Sequence, residues 1–353
     1  MSDLQISLLA IGAVVVAAVY AFNIWQERQL RRRTEEAFAR DHPDVLLGGA
    51  IESDDDNEPR VEPMINAASP PAVALPQPAA VAGAIDPVID FVVEVNLKTP
   101  ADGAALRDDL RAALAATGKA VLAEGYAASS GDWIDAAGGQ SFQRLRFALQ
   151  MSNRAGCVTQ SHLSAFRDAV AEWAEARQGE LKSLDLEAAH AMAVQLDRFC
   201  ADVDIAIGVN VVSSDASPFT GVRIRELAEQ NALRLESDGV FYARAADGGV
   251  LFTLDNHEPM PFVPEQMRSL TTGGVTFLLD VPRVAGALDA LDTMVGSAKS
   301  FAAELGGKLV DDNRAPLSDG AIAAIRKQLE GILAKMEAGR IPAGGARALR
   351  LFA

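Results

Sequence analysis

The alternation of apolar and polar residues changes repeatedly along the chain from Val88 onward. A period of two is typical of strands, and a period near 3.6 is typical of helices. The first run of this pattern predicts strands at 91–97 and 145–151 and helices at 106–116, 162–177 and 186–199. The second run predicts strands at 203–211, 241–242, 251–254 and 275–281 and helices at 221–231, 288–305 and 318–336. We therefore predict an α+β chain with two α/β units, each an antiparallel sheet backed by helices.

The two units resemble each other in local sequence. Val95-Asn96-Leu97 in the first unit parallels Val209-Asn210-Val211 in the second. The strand that contains Phe147 likewise parallels the strand that contains Phe277. These matches predict a tandem duplication, although any two α/β domains share such an order of elements.

A long apolar segment lies near the N-terminus. Residues 4–25 carry no charged side chain, and about 20 apolar residues span a hydrocarbon core of roughly 30 Å. Asp3 precedes the segment, whereas Arg28, Arg31, Arg32 and Arg33 follow it. A cleaved signal peptide carries its positive charges before the apolar core, so this order predicts a retained transmembrane helix. By the positive-inside rule, residues 1–3 lie outside and the rest of the chain lies in the cytoplasm.

Residues 26–87 have a composition unlike that of a folded domain. A charged segment begins at Gln26, an acidic run occupies Glu52–Glu58, and residues 59–87 are rich in Pro, Ala and Val. Such a composition cannot bury enough apolar surface to offset the entropy lost on ordering. We predict a disordered Pro-rich linker that holds the folded part away from the bilayer.

The charge and the cysteine count narrow the classes of function. The formal net charge is −16, which argues against a nucleic-acid binder because such proteins need a basic surface to neutralise phosphates. Cys157 and Cys200 are far apart and lie in no metal-ligand spacing, so free thiols in a reducing compartment are expected.

The motifs of common enzyme classes do not occur in the sequence. There is no Walker-type loop, GxSxG, HExxH or CxxC. Of the four histidines, His257 is the one candidate near a plausible site, and Asp311-Asp312 is better explained as a loop cap than as a metal site. We predict a protein that is not an enzyme and that carries no cofactor and no metal.

The segment from Val203 to about Leu333 resembles the C-terminal domain of the ZipA family of cell-division proteins. Several short motifs that carry the resemblance occur in order at suitable spacing, and they are Leu251–Asn256, Phe262–Glu265, Leu270–Phe277, Asp280–Pro282, Phe301–Gly307 and Leu309–Asp312. The order of the whole chain agrees with the family, from membrane span through Pro-rich linker to folded C-terminal domain. The resemblance does not extend to residues 88–200.

The resemblance implies a division component that ties the tubulin-like polymer FtsZ to the cytoplasmic face of the inner membrane. In this family, one face of an antiparallel sheet is open, and the C-terminal tail of FtsZ lies in a shallow apolar groove on that face. The groove positions of the family fall on Ala206, Gly208, Gly239, Phe241, His257, Thr276 and Leu278. These are the peptide-binding residues that the resemblance implies.

Strand alternation gives an independent view of the same face. Opposite the aliphatic side of the strand at 203–211, the residues are small or polar, and Thr276 and Leu278 lie opposite Phe277 and Leu279. The family groove is lined by bulkier side chains, so Phe241 and Leu278 are expected to provide most of the apolar contact. Affinity should then be modest, because few buried anchors contribute.

The sequence thus divides into six parts: a periplasmic N-terminus (1–3), a transmembrane helix (4–25), a charged segment with linker (26–87), an α/β unit that is a possible degenerate duplicate (88–200), a ZipA-like FtsZ-binding domain (201–337) and a flexible tail (338–353). An alternative function is a membrane-tethered scaffold whose sheet faces bind other envelope or division proteins. Self-association of the two units is part of that alternative.

Overall fold

The computed structural model describes residues 84–136 and 140–353. The predicted transmembrane helix at 4–25 lies outside these residues, as does the predicted linker up to residue 83. Within the described residues, no helix has the length and apolar character needed to cross a bilayer.

The first half of the described chain forms a five-stranded antiparallel sheet, called here the first sheet, with order β3-β2-β4-β1-β7. Its elements are β1 (Asp90–Ala101), α1 (Ala104–Ala113), β2 (Val121–Ala127), β3 (Asp132–Asp135), β4 (Phe142–Gln150), β5 (Ser152–Asn153), β6 (Gly156–Cys157), α2 (Gln160–Glu175), β7 (Glu180–Ser183) and α3 (Leu186–Val203). The short strands β5 and β6 pair with each other. Helix α2 packs on β1, β4 and β7, and α3 packs on α2.

The second half forms a six-stranded antiparallel sheet, called here the second sheet, with order β10-β11-β12-β14-β8-β15. Its elements are β8 (Ala206–Ser213), β9 (Phe219–Thr220), α4 (Gly221–Gln230), β10 (Arg234–Leu235), β11 (Phe241–Arg244), β12 (Val250–Asn256), β13 (Thr271–Thr272), β14 (Gly274–Asp280), α5 (Ala287–Leu305), β15 (Gly307–Val310), α6 (Asp319–Ala338) and α7 (Ala346–Leu351). Strands β9 and β13 form a separate pair. Two antiparallel sheets with helices are therefore present, as predicted.

Each sheet has an inner face that buries apolar side chains against helices. In the second sheet, Val209, Val275 and Phe277 lie on this face and are buried, and α5 packs over them. The Phe277 ring packs at 90° on Phe301 of α5, with 5.2 Å between ring centroids. Burial of such aromatic and branched side chains is the main favourable term in the stability of the sheet.

The two sheets share a three-stranded centre with the same pairing. Val93 lies opposite Phe147 in the first sheet, and Val209 lies opposite Phe277 in the second. A third strand follows a helix in both cases and pairs with the other edge of the central strand, β7 with β1 and β15 with β8. The duplication stays a prediction, and the sequence match of Asn210 with Asn96 is wrong, because the shared pairing aligns Asn210 with Glu94.

The hairpins beside this centre are attached differently. In the first sheet, the strand next to β4 is β2, the first strand of its hairpin. In the second sheet, the strand next to β14 is β12, the second strand of its hairpin. The two sheets therefore have the same three central strands and a strand in the same place beside them. The order in which the chain connects these strands differs.

The predicted flexible tail at 338–353 is wrong for most of its length. Residues 346–351 form helix α7, and Leu351 and Phe352 are buried in the apolar core of the first sheet. Arg350 of α7 forms an ion pair with buried Asp90 at the start of β1, with 2.5 Å between Nη2 and Oδ1. Helix α6 contributes to the apolar core of the second sheet, and the segment after it enters the apolar core of the first sheet.

Candidate functional site

The candidate site is the outer face of the second sheet, opposite the face that α5 covers. Side chains on neighbouring strands lie side by side on this face, which is called here the groove face. Its central positions are Ala206, Gly208 and Asn210 of β8, Thr276, Leu278 and Asp280 of β14, Thr253 and Asp255 of β12, and Tyr242 of β11. Leu278 is 38% exposed, whereas its neighbours Phe277 and Leu279 are fully buried. Strand alternation accounts for this contrast, because successive side chains point to opposite faces.

A chain of hydrogen bonds crosses the groove face. Thr276 Oγ1 donates to Asn210 Oδ1 at 2.6 Å, and Asn210 Nδ2 donates to Asp312 Oδ1 at 2.9 Å. His257 Nδ1 lies 3.2 Å from Thr276 Oγ1. Because the threonine hydroxyl gives its single proton to Asn210, His257 Nδ1 must be the donor in this contact. The network fixes the floor of the groove face, and the other histidine nitrogen, Nε2, is left for further contacts.

Asp312 forms one side of the groove face. A Cβ atom placed on Gly208 would come within 3.0 Å of Asp312 Oδ1, so this carboxylate lies directly over the glycine. The neighbouring Asp311 caps the loop, as expected, since its Oδ1 accepts from the backbone N–H groups of Asn313 and Ala315. The two adjacent aspartates therefore have different positions, one in the loop and one on the groove face.

Tyr242 and two carboxylates form the other side. The Tyr242 hydroxyl donates to Asp238 at 2.6 Å. Thr253 of β12 lies opposite Tyr242, and Asp255 is the next residue of β12 on the same face. Burial raises the pKa of Asp255, and the negative charge of Asp238 raises it further, while a hydrogen bond from the Thr253 hydroxyl at 3.1 Å acts in the opposite direction. Burial and the bond to Asp238 also raise the pKa of Tyr242. This side of the groove face is therefore rich in negative charge.

The structure brings most of the implied peptide-binding residues together. Ala206, Gly208, Thr276 and Leu278 share the groove face, and exposed His257 lies at its end. Gly239 lies in the turn before β11 with φ of +82°, and a Cβ there would come within 2.5 Å of Pro261. Glycine is therefore required at this position by the turn and by the approach of the 261–262 segment.

Phe241 does not lie on the groove face, and its predicted placement is wrong. It is 1% exposed and packs edge-to-face on Phe262 in the core, with 5.3 Å between ring centroids. Tyr242 has the outer position instead, opposite Thr253. The adjacent residues Phe241 and Tyr242 are both aromatic, so the apolar pattern alone could not distinguish the inner from the outer position.

Sequence reasoning also missed the part that two carboxylates have in this site. The sequence predicts Asp312 only as part of a loop cap, and it gives Asp255 no role. No apolar pattern marks either residue, because their position depends on pairing between strands that are distant in sequence. Asn210 and Asp312, for example, are 102 residues apart.

The groove face offers an aliphatic side chain, hydrogen-bonding groups and carboxylates on a rigid sheet. This combination suits the binding of a peptide segment, for which a few apolar anchors and a polar rim supply affinity and orientation. Among the described residues, no group of three or more His, Cys, Asp and Glu side chains is arranged to hold a metal ion.

Residues 205–328 match a protein-family model described as the C-terminal FtsZ-binding domain of ZipA. The matched segment contains all the strands of the second sheet from β8 to β15 and therefore the whole groove face. The comparison confirms the predicted resemblance to the ZipA family, closest over the C-terminal domain.

Several curated proteins that are similar to this chain are named cell division protein ZipA. The chain is 29% identical over 141 residues to the cell division protein ZipA of Ectopseudomonas mendocina, covering 39% of this chain and 52% of the relative. It is 30% identical over 133 residues to the cell division protein ZipA of Stutzerimonas stutzeri, covering 36% and 49% of the two chains. The ZipA of Pseudomonas aeruginosa is also 30% identical over 133 residues, with 36% and 46% covered. The match thus spans about half the length of these relatives.

Proposed function

We propose that this protein binds the C-terminal tail of FtsZ on the groove face and thereby holds FtsZ at the cytoplasmic side of the inner membrane. The second sheet supplies the binding surface, and residues 4–25 supply the membrane helix. The protein then acts in cell division as a tether and stabiliser of the FtsZ ring. It performs no catalytic step in this role.

One observation carries the proposal: the open sheet face lies entirely within the segment that matches an FtsZ-binding domain. The face has an exposed leucine, Leu278, which an apolar side chain of a peptide can contact, and the Asp312 carboxylate borders it over Gly208. Ala206 and Gly208 lie on β8 next to Leu278 of β14. Because Ala206 and Gly208 are small, they give a bound peptide less contact area than large side chains would. We therefore expect a modest affinity.

Titration of a fluorescent FtsZ tail peptide against the full chain in lipid nanodiscs tests the proposal. The full chain is the appropriate material, because Met336, Leu351 and Phe352 are buried in the core of the first sheet. Cutting the chain at residue 203 would expose them. Saturable binding that weakens in Leu278→Ala supports the proposal, and absence of binding by the parent protein contradicts it.

A second candidate function is a scaffold for other division or envelope proteins. It is favoured by the outer face of the first sheet, which lies outside the family match. There the exposed Arg144 guanidinium stacks on Tyr126, 4.5 Å from the ring centroid, and lies 5.4 Å from the Trp133 ring. Such an arginine and aromatic surface is common at protein interfaces. Binding of division proteins by the chain after loss of tail-peptide binding would favour this function.

A further inference from the structure

The shared centre of the two sheets allows their outer faces to be compared position by position. Arg146 precedes Phe147 in β4, and Thr276 precedes Phe277 in β14, so these two residues are equivalent. Glu124 of β2 lies directly opposite Arg146. Asp255 of β12 lies directly opposite Thr276. Each sheet therefore has a carboxylate at the same place on its outer face.

In the first sheet, this carboxylate has a cation within the chain. Arg146 Nε donates to Glu124 Oε2 at 2.6 Å, and the guanidinium also lies over the Trp133 ring, 4.5 Å from its centroid. Directly opposite residues on one face of a sheet have Cβ atoms about 5 Å apart, a distance that an arginine bridges without strain. The charge of Glu124, which is 2% exposed, is thus compensated on the sheet itself.

In the second sheet, the cation is missing from the equivalent position. Thr276 stands where Arg146 stands in the first sheet, and its hydroxyl is directed to Asn210. The Thr253 hydroxyl donates a hydrogen bond to the Asp255 carboxylate, and among the described residues no basic side chain forms an ion pair with it. The Asp238 carboxylate repels that of Asp255. A half-buried carboxylate without a counter-ion costs free energy.

The first sheet shows where the missing cation would lie. A guanidinium or ammonium group opposite Asp255, above Thr276, would also lie on the groove face between Tyr242 and Asp312. Asp312 is about two strand spacings away, or roughly 10 Å, and adds further negative potential. Thr276 is the side chain that β14 places at this position, and the His257 ring, 3.2 Å from the Thr276 hydroxyl, borders the space beside it.

We propose that the peptide bound on the groove face places a lysine or arginine side chain against Asp255, beside the apolar residue that contacts Leu278. Asp255 is then a specificity-determining residue that selects a basic and apolar peptide over a purely apolar one. This inference rests on the proposed binding of the FtsZ tail and assigns one contact within it.

A double-mutant cycle between protein and peptide tests the inference. The protein variants are Asp255→Asn and, as a control with the same change in net charge, Asp109→Asn on the exposed surface of α1. The probe is the FtsZ tail peptide, together with variants in which each Lys or Arg in turn is replaced by Gln. Binding to the full chain in nanodiscs is measured by fluorescence anisotropy.

We expect one peptide variant to bind about tenfold more weakly, as for loss of a charge-assisted hydrogen bond. Asp255→Asn should weaken the parent peptide by a similar factor and should not weaken that variant further. Charge reversal should restore affinity, with Asp255→Lys binding the peptide in which the same residue is Glu. Asp109→Asn should leave all the affinities unchanged.

The outcomes separate this inference from the function on which it rests. If the parent peptide binds and Leu278→Ala weakens it, but Asp255→Asn has no effect, the assigned contact is overturned and the site stands. If the effects of Asp255→Asn and of every peptide variant are additive, the contact is also overturned. If the parent peptide does not bind, both proposals fail.

Discussion

At the scale of single residues, two neighbours on β14 separate binding from stability. Leu278 is exposed on the groove face, and Phe277 is buried against Phe301. We expect Leu278→Ala to leave the free energy of unfolding nearly unchanged and to weaken tail-peptide binding by about 1–2 kcal/mol. Phe277→Ala should lower the free energy of unfolding by about 3–5 kcal/mol, because it leaves a cavity in the core. Urea unfolding and peptide titration of each variant provide the two measurements.

Phe241 provides a control for this contrast. Because it is buried with Phe262, Phe241→Ala should behave like Phe277→Ala and destabilise the fold. A Phe241→Ala protein that keeps parental stability but loses peptide binding would contradict the packing described here. Equal loss of stability in Leu278→Ala and Phe277→Ala would do the same.

Asp255 is expected to reduce stability at neutral pH. Its pKa is raised from the ordinary value of 3.8, first by burial and then by Asp238. A raised pKa in the folded state favours the protonated form, so stability is highest below 3.8 and declines as the pH rises through the raised pKa. Asp255→Asn removes this dependence. We therefore expect the variant to be more stable than the parent at pH 7, with a difference that shrinks as the pH is lowered toward 3.8.

Asp215 is the matched control with the opposite sign. Hydrogen bonds from the backbone and side chain of Ser217 and from Ser213 lower its pKa, so its contribution to stability is present at neutral pH and is lost as the pH falls. The stabilities of Asp255→Asn and Asp215→Asn are compared by urea unfolding between pH 4 and pH 8, monitored by circular dichroism. Tyr242 on β11 and Asp238 in the turn before β11 face Asp255, and His257 lies at the end of the strand that contains Asp255. A stability difference for Asp255→Asn that does not change with pH would contradict the assignment.

At the scale of elements, the sequence predicts most helices and central strands because their apolar periodicity is strong. The helix predicted at 288–305 is observed at Ala287–Leu305. The helix predicted at 318–336 is observed at Asp319–Ala338, and Ser318 caps it, since its Oγ accepts from the N–H of Ala321. The turn at 247–249 joins β11 and β12, and Gly248 there has φ of +88°.

The elements that the sequence did not predict depend on contacts between distant residues. Helix α7 has only six residues, too few for a clear periodic pattern. Its position depends on Asp90 and on the first apolar core, about 260 residues earlier in the chain. The inner placement of Phe241 likewise depends on Phe262, outside its own strand. Local sequence patterns therefore predict the central strands of the sheets, whereas tertiary packing determines the position of helix α7 and the inner placement of Phe241.

Helix α7 should contribute strongly to the stability of the first sheet. Arg350 is the ion-pair partner of Asp90, a buried residue, and it also donates to the carbonyl oxygen of Ala84. Arg350→Ala leaves the Asp90 carboxylate buried without this cation, so we expect the free energy of unfolding to fall by about 3–5 kcal/mol. Tryptophan fluorescence during urea unfolding of the chain measures this change.

The controls distinguish the lost ion pair from a general effect of removing an arginine. Arg268→Ala, on an exposed surface, should change the free energy of unfolding by less than about 0.5 kcal/mol. Asp90→Asn added to Arg350→Ala should recover part of the loss, because no unpaired charge then remains. If Arg350→Ala unfolds at the parental urea concentration, helix α7 is not the support that its contacts indicate.

At the scale of the whole molecule, ion pairs also join the first half of the described chain to the second half. Arg154, in the turn between β5 and β6, lies 2.8 Å from a carboxylate oxygen of Asp204 and 2.6 Å from one of Asp280 at the end of β14. The carbonyl oxygen of Phe352 accepts from Arg283 at 2.7 Å. Asp280, at the far end of the groove face, is thus held from the first sheet. The groove face therefore rests on a support larger than the matched segment 205–328.

The proposed function requires the groove face to lie in the cytoplasm. Four arginines follow the apolar segment at 4–25, and no basic side chain precedes it. Positive residues beside a membrane helix are retained in the cytoplasm, so the described domains should lie on that side. We expect green fluorescent protein fused after Ala353 to fluoresce and alkaline phosphatase fused at the same place to be inactive. A control with Arg28, Arg31, Arg32 and Arg33 changed to Asn and two lysines added before residue 4 should shift the balance toward phosphatase activity. An active phosphatase in the unchanged chain would place the groove face outside the cytoplasm and would exclude FtsZ as its ligand.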